Sequence, residues 1–130
     1  MKEADIIDAL KLSVEQSQTE VLLPIGDDGS VIKLGSNKQI VTVTDAITVD
    51  VHYPSGIESH AIGYRCLAVN LSDMAAMGAI PTWASLVFSV PKIDSNWIKG
   101  FIKGFSEIAN QYKISLIGGD TIRGPEFFAV

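Results

Sequence analysis

The chain has 130 residues, 47% of them hydrophobic, and a formal charge of -5. That length and composition suit one globular domain with a real core, and the acidic balance excludes a general nucleic-acid binder, which needs a basic face. A single cysteine, Cys66, rules out an internal disulfide and a cysteine-based zinc site and points to a reducing compartment.

The opening residues Lys2-Glu3-Ala4-Asp5 lack the apolar core of a signal peptide. No apolar run approaches the roughly 20 residues that a membrane span needs. A cytoplasmic protein is expected, and any phosphate chemistry must use metal ions or backbone amides rather than a lysine field.

Residues 3–17 carry Ile6, Ile7, Leu10 and Val14 at helical spacing, which predicts a short amphipathic helix. Residues 21–25 form a brief apolar run stopped by Gly26-Asp27-Asp28-Gly29. Residues 31–34 and 40–44 flank the turn signal Gly35-Ser36-Asn37-Lys38, a pattern that predicts a hairpin. The second of these strands ends at Thr44-Asp45. Residues 47–53 are β-rich again and end at Pro54-Ser55-Gly56.

Residues 58–77 predict a helix of an unusual kind. Between Cys66 and Ala79 it holds no Lys, Arg or Glu, and its polar side chains are Asn70, Ser72 and Asp73. A helix without a charged solvent face is normally buried nearly all round, so Asp73 is expected to be buried and in need of a partner. Gly78 and Pro81 supply the stop.

Trp83–Val90 reads as a strand. Asp94 or Ser95 can cap a helix running to about Tyr112, with Trp97, Phe101, Phe105, Ile108 and Tyr112 facing the core and Lys99, Lys103 and Glu107 facing water. Residues 114–117 predict a strand ending at Gly118-Gly119-Asp120, and strand, helix and strand in that order suggest a right-handed crossover between parallel strands. The last residues, 127–130, are apolar with no stop signal. The chain is therefore expected to be the N-terminal piece of a longer protein.

Four Asp-bearing segments stand out: Gly26-Asp27-Asp28, Thr44-Asp45, Asn70-Leu71-Ser72-Asp73 and Gly118-Gly119-Asp120-Thr121. Hard cations such as Mg²⁺ take oxygen ligands and share them with phosphates, and glycine beside Asp lets backbone approach a ligand closely. The four are expected to converge on Asp45. Each also has a plain reading, as a turn residue or a structural hydrogen-bonding group. His52 is either a ligand contact or a satisfied structural histidine, and Arg123 either grips a phosphate or fixes its loop by bonding carbonyls. No Gly-x-x-x-x-Gly-Lys-Ser/Thr loop is present, which removes a P-loop kinase. No Gly-x-Ser-x-Gly elbow is present either, and two histidines with one cysteine leave little for a triad hydrolase.

In this order, Ile25-Gly26-Asp27-Asp28, Thr44-Asp45 with His52-Tyr53, residues 68–79 (AVNLSDMAAMGA) with Pro81, and residues 118–125 (GGDTIRGP) resemble the N-terminal domain of the thiamine-monophosphate kinase family, in the aminoimidazole ribonucleotide (AIR) synthase superfamily. The resemblance implies an α+β fold, a mixed β-sheet packed against helices, with sheets pairing across a homodimer. It implies that residues 1–130 are an ATP- and metal-binding domain whose C-terminal companion is absent from this chain, so that the isolated piece is inactive. The implied reaction is ATP-dependent conversion of thiamine monophosphate to thiamine diphosphate with several Mg²⁺ ions.

By motif, Asp28, Thr44, Asp45, Asp73 and Asp120 correspond to metal ligands. Gly119, Asp120 and Arg123 correspond to nucleotide contacts, and His52 to a substrate contact. Departures occur at Leu23-Pro24-Ile25-Gly26, where relatives commonly carry another glycine, at residues 46–50 ahead of the histidine, and at Ile102, where an aromatic is common. Two other readings stand beside this one: the N-terminal domain of another ATP-dependent enzyme of the superfamily, and a non-catalytic dimerisation module whose Asp residues are structural.

Overall fold

A computed structural model of the chain describes residues 2–16, 20–92 and 94–130. Its elements run α1 (Glu3–Ser13), β1 (Val21–Leu23), β2 (Val31–Ile32), β3 (Ile47–Thr48), α2 (Ser59–Ala76), β4 (Trp83–Val90), α3 (Ser95–Gln111), β5 (Ser115–Arg123) and β6 (Phe128–Ala129). β1 and β2 make an antiparallel ribbon, and the other strands form one sheet in the order β3-β6-β4-β5. β4 and β5 are parallel, as a strand–helix–strand unit predicts, whereas β6 runs antiparallel to both β3 and β4. The expected α+β architecture, a mixed sheet packed against helices, is what the chain adopts.

The core lies between the sheet and the helices. Leu86, Phe88 and Val90 from β4 and Ile114 and Leu116 near the start of β5 meet Ile62 and Leu67 of α2 and Ile98, Phe101, Ile102, Phe105 and Ile108 of α3. The helix α3 forms because its apolar residues recur at helical spacing and Asp94 caps it, accepting from the Asn96 and Trp97 amides at 2.9 and 3.3 Å. Such a cap contributes about 1 kcal/mol. Lys99, Lys103 and Glu107 are exposed as predicted, but Tyr112 is half exposed rather than in the core.

Glycines set how closely α2 and α3 approach. A Cβ on Gly63 would collide with the Phe101 carbonyl, and one on Gly104 with the His60 carbonyl. The two backbones therefore touch, and only hydrogen side chains fit between them. At the rim, His60 Nε2 meets Glu107 Oε2 at 2.8 Å, an exposed pair of the kind that contributes at most about 1 kcal/mol.

The first helix is shorter than the predicted 3–17: it ends at Ser13, and residue 17 lies outside the described residues. Asn110 of α3 fixes its exit, donating to the Ser13 carbonyl and accepting from the Glu15 amide, both at 2.9 Å. Ile6, Leu10 and Val14 are buried. No helix among the described residues is long and apolar enough to cross a membrane.

Candidate functional site

The predicted hairpin of residues 31–34 with 40–44 does not form. β2 pairs with β1 instead, Val21 opposite Ile32 and Leu23 opposite Val31, and residues 38–46 have no strand partner. The period-two pattern survives as burial, with Val41, Val43 and Asp45 half-buried and Thr42, Thr44 and Ala46 exposed. Composition favoured a strand there, but a strand also needs a neighbour to receive its amides, and β2 is engaged elsewhere.

Asp45 thus sits at the end of an unpaired segment, just before β3, within electrostatic reach of Cys66 on α2. Asp27 and Asp28 are exposed in the bend between β1 and β2. There Gly26 takes φ +125°, and a Cβ on it would strike Lys11 Nζ, so the turn requires glycine. Asp27 accepts from the Asp28 amide at 2.8 Å.

The helix α2 matches its predicted span but is not buried all round. Ile62, Gly63, Cys66 and Leu67 face the core, whereas Ser72, Asp73, Ala75, Ala76 and Met77 are exposed. Asp73 is therefore an accessible carboxylate in the last turn, and needs no buried partner. The absence of charge along this face is not matched by cover within the chain. Asn70 turns back to donate to the Cys66 carbonyl at 3.0 Å.

The strand β5 is also longer than predicted. It passes through Gly118-Gly119-Asp120 and continues to Arg123, because Gly119 at φ +148° lies flat on the Leu86 backbone, where a Cβ would collide with the Leu86 carbonyl. Gly119 keeps the strand tight to β4 instead of ending it. Asp120, opposite Val87, and Arg123 are exposed at its far half.

His52 is fixed by a turn after β3. Asp50 adopts φ +60°, the His52 amide donates to the Thr48 carbonyl at 3.0 Å, and the Thr48 amide donates to His52 Nδ1 at 3.0 Å. With Nδ1 accepting, the neutral ring carries its proton on Nε2 and presents a donor outward. His52, Tyr53, Pro54 and Ile57 from this turn and Ala61, Ile62 and Arg65 from α2 line a cleft of about 210 Å³. Arg65 is not among the sequence candidates, although it is the only Lys or Arg between Lys38 and Lys92.

Two groups, Cys66 on α2 and Tyr53 in the cleft lining, hold their protons tightly. Burial, then the Asp45 charge, pushes the Cys66 thiol up to about 12 from 9.0. Burial, then the Cys66 and Asp50 charges, pushes Tyr53 to about 12 from 10.0. The folded chain keeps the thiol proton to higher pH than the unfolded chain, so this contribution is intact below pH 9 and is lost as pH climbs toward 12. Urea midpoints are expected to fall above pH 9, with a slope of up to about 1.4 kcal/mol per pH unit from Cys66. Cys66→Ala flattens that slope, and an unchanged alkaline limb in Cys66→Ala refutes the assignment.

The division of labour among the acids is plain. Asp5 accepts from the Lys2 amide, Asp27 from Asp28, Asp50 from Ser55 and Asp94 from the start of α3. By contrast, the carboxylates of Asp28, Asp45, Asp73 and Asp120 accept no hydrogen bond and join no ion pair among the described residues, a condition they share with Asp8, Glu15, Glu58 and Glu126. These four come one from each motif-bearing segment, whose fifth acid, Asp27, is engaged. Among the described residues no three His, Cys, Asp or Glu side chains come close enough to hold one metal ion, so the expected convergence on Asp45 is not realised within the chain. The tie that is seen joins Asp45 to α2.

The family whose sequence pattern is described as "AIR synthase related protein, N-terminal domain" matches residues 26–129. Thiamine-monophosphate kinase from Buchnera aphidicola subsp. Schizaphis graminum is 42% identical over 123 residues, which cover 95% of this chain and 38% of that protein. The Escherichia coli K12 thiamine-monophosphate kinase is 38% identical over 112 residues, 86% of this chain and 34% of its own length. The crystal structure of thiamine-monophosphate kinase from Stenotrophomonas maltophilia K279a superimposes with a TM-score of 0.81 at 42% identity, over 96% of this chain and 38% of that one. The chain thus spans little more than a third of the relatives it matches.

Proposed function

We propose a kinase role for this chain, which belongs to the AIR synthase related protein family as its N-terminal domain. Residues 1–130 are read as the ATP- and Mg²⁺-binding part of a thiamine-monophosphate kinase, the enzyme that moves the terminal phosphoryl of ATP onto the phosphate of thiamine monophosphate. The observation that carries this reading is that Asp28, Asp45, Asp73 and Asp120, one from each motif-bearing segment, have carboxylates without partners among the described residues. A dimerisation module with structural acids would engage them, as Asp94 and Asp50 are engaged.

The donor set fits a hard divalent cation. It is all oxygen, solvent-accessible, and flanked by Thr44 and by Gly119. Mg²⁺ is usually held by one or two carboxylates and completed by substrate phosphates and water, so a ready-made cluster of three is not needed. Asp28, Thr44, Asp45, Asp73 and Asp120 would hold the ions. When bound, they neutralise the phosphate oxygens and stabilise charge on the transferring group.

The acceptor is already an anion, so the chain needs no strong general base. Its residues instead orient two polyanions: Gly119 lets the β5 backbone approach the nucleotide, Asp120 and Arg123 flank it, and His52 offers Nε2–H to the acceptor. Leu22, Val31, Leu34 and Ile40 are exposed on and beside the β1–β2 ribbon, which supports a homodimer formed through this domain. The rest of the acceptor pocket belongs to a second domain, and the reading implies a cytoplasmic enzyme.

Calorimetry with ATP in Mg²⁺ and in EDTA tests the reading. Binding is expected only with the metal, and to be reduced in Asp73→Asn. Metal-independent ATP binding, or none in Mg²⁺, refutes it.

A further inference from the structure

We propose that Arg65 joins His52 to form the receptor for the phosphate of the acceptor substrate, a role that rests on the kinase reading above. Three features of the cleft point to it.

The first is isolation of charge. The segment between Lys38 and Lys92 carries Asp45, Asp50, Glu58 and Asp73 but only one Lys or Arg, and that residue lines the cleft. Its guanidinium forms no ion pair among the described residues. A solvated helix cation commonly pairs with an acid one turn away, but the positions one turn either side of Arg65 are Ala61, Ile62, Ala68 and Val69.

The second is a fixed donor in the lining of the same cleft. The Thr48 amide holds His52 Nδ1, which orients Nε2–H without using it, as a partner on one ring nitrogen commonly does. A planar guanidinium that grips two oxygens and an imidazole N–H that takes a third suit a tetrahedral phosphate better than a flat carboxylate.

The third is setting. Pro54, Ile57, Ala61 and Ile62 supply an apolar lining around the two donors. At about 210 Å³ the cleft is below the roughly 300–1,000 Å³ that encloses a drug-sized ligand, so it seats a terminal group and not a whole substrate.

The test is a ¹⁵N NMR titration of the chain in Mg²⁺, read at Arg65 Nε–H and His52 Nε2, with thiamine monophosphate, thiamine and methyl phosphate. Both phosphates are expected to shift the two signals saturably, and thiamine neither. Arg65→Ala should weaken thiamine monophosphate about ten- to a hundredfold, Arg65→Lys should restore part of the loss, and the Thr48 amide signal should stay in place in both. Equal affinity in wild type and Arg65→Ala, or no shift with either phosphate, overturns the receptor while leaving metal-dependent ATP binding as a separate result. Methyl phosphate binding as tightly as thiamine monophosphate supports the receptor, since the rest of the acceptor pocket is assigned to a second domain.

Discussion

Asp45→Asn is expected to weaken Mg²⁺-dependent ATP binding about a hundredfold or more while leaving the fold at wild-type stability. The substitution keeps shape and removes charge. Changing a residue that merely supports a metal ligand typically loses 10–100-fold, and a ligand itself should lose at least that. A hundredfold is about 2.7 kcal/mol. Because no described residue bonds the Asp45 carboxylate, the fold has nothing to lose. The Cys66 thiol, partly held up by that charge, should ionise at lower pH in the variant. Asp94→Ala should give the opposite result, with ATP binding retained and stability lower by about 1 kcal/mol, because α3 loses its cap. Calorimetry and urea unfolding on both variants decide the matter. A destabilised Asp45→Asn with unchanged ATP binding would make Asp45 a structural residue.

The largest stability effect should come from Gly104→Ala. On an exposed helix this change stabilises by about 1 kcal/mol through helix propensity. Here the new methyl meets the His60 backbone carbonyl, which cannot rotate aside, so α2 and α3 must part. Overpacking of this kind costs about 1–3 kcal/mol, and separation also loosens the contacts of Phe101 and Phe105. A net loss of about 2–3 kcal/mol is expected, or roughly 8–15 °C in melting temperature for a domain of this size. Gly100→Ala, one turn earlier, meets the Ser59 hydroxyl, a side chain that can turn away, and should be near neutral. Equal melting temperatures for the two variants would refute the backbone-contact account.

What could be read from the sequence follows from which interactions are local. The helix α3 was legible because its periodicity and its cap lie within one segment, and β4 emerged with its predicted bounds. Residues 40–44 were not legible, because their β-rich composition says nothing about whether a partner strand is free. The uncharged face of α2 implied burial, yet Asp73 and its neighbours are open, since sequence shows what a face tolerates and not what covers it. Gly118-Gly119 read as a stop because glycine commonly ends strands, whereas here close contact with Leu86 demands it. The candidate acids themselves were legible by motif. That four of them have no task in the fold could be seen only once every donor around them had been assigned. Arg65 left one signal, its isolation among acids and apolar residues, which acquires meaning only beside the His52 turn.

The position of β6 has a consequence during synthesis. It lies between β3 and β4, yet among the described strands it is made after all the others, about 40 residues after β4 ends. At about 5–20 residues per second, β4 waits roughly 2–8 s on the ribosome with one edge unpaired, and β3 waits longer. Early α2–α3 docking can bury Phe88 and Leu86, but cannot supply backbone partners for Phe88 and Ser89, which β6 alone provides on that side. The nascent chain should therefore engage holding chaperones through the β4 edge, and should become protease-resistant only as Phe128 and Ala129 leave the exit tunnel.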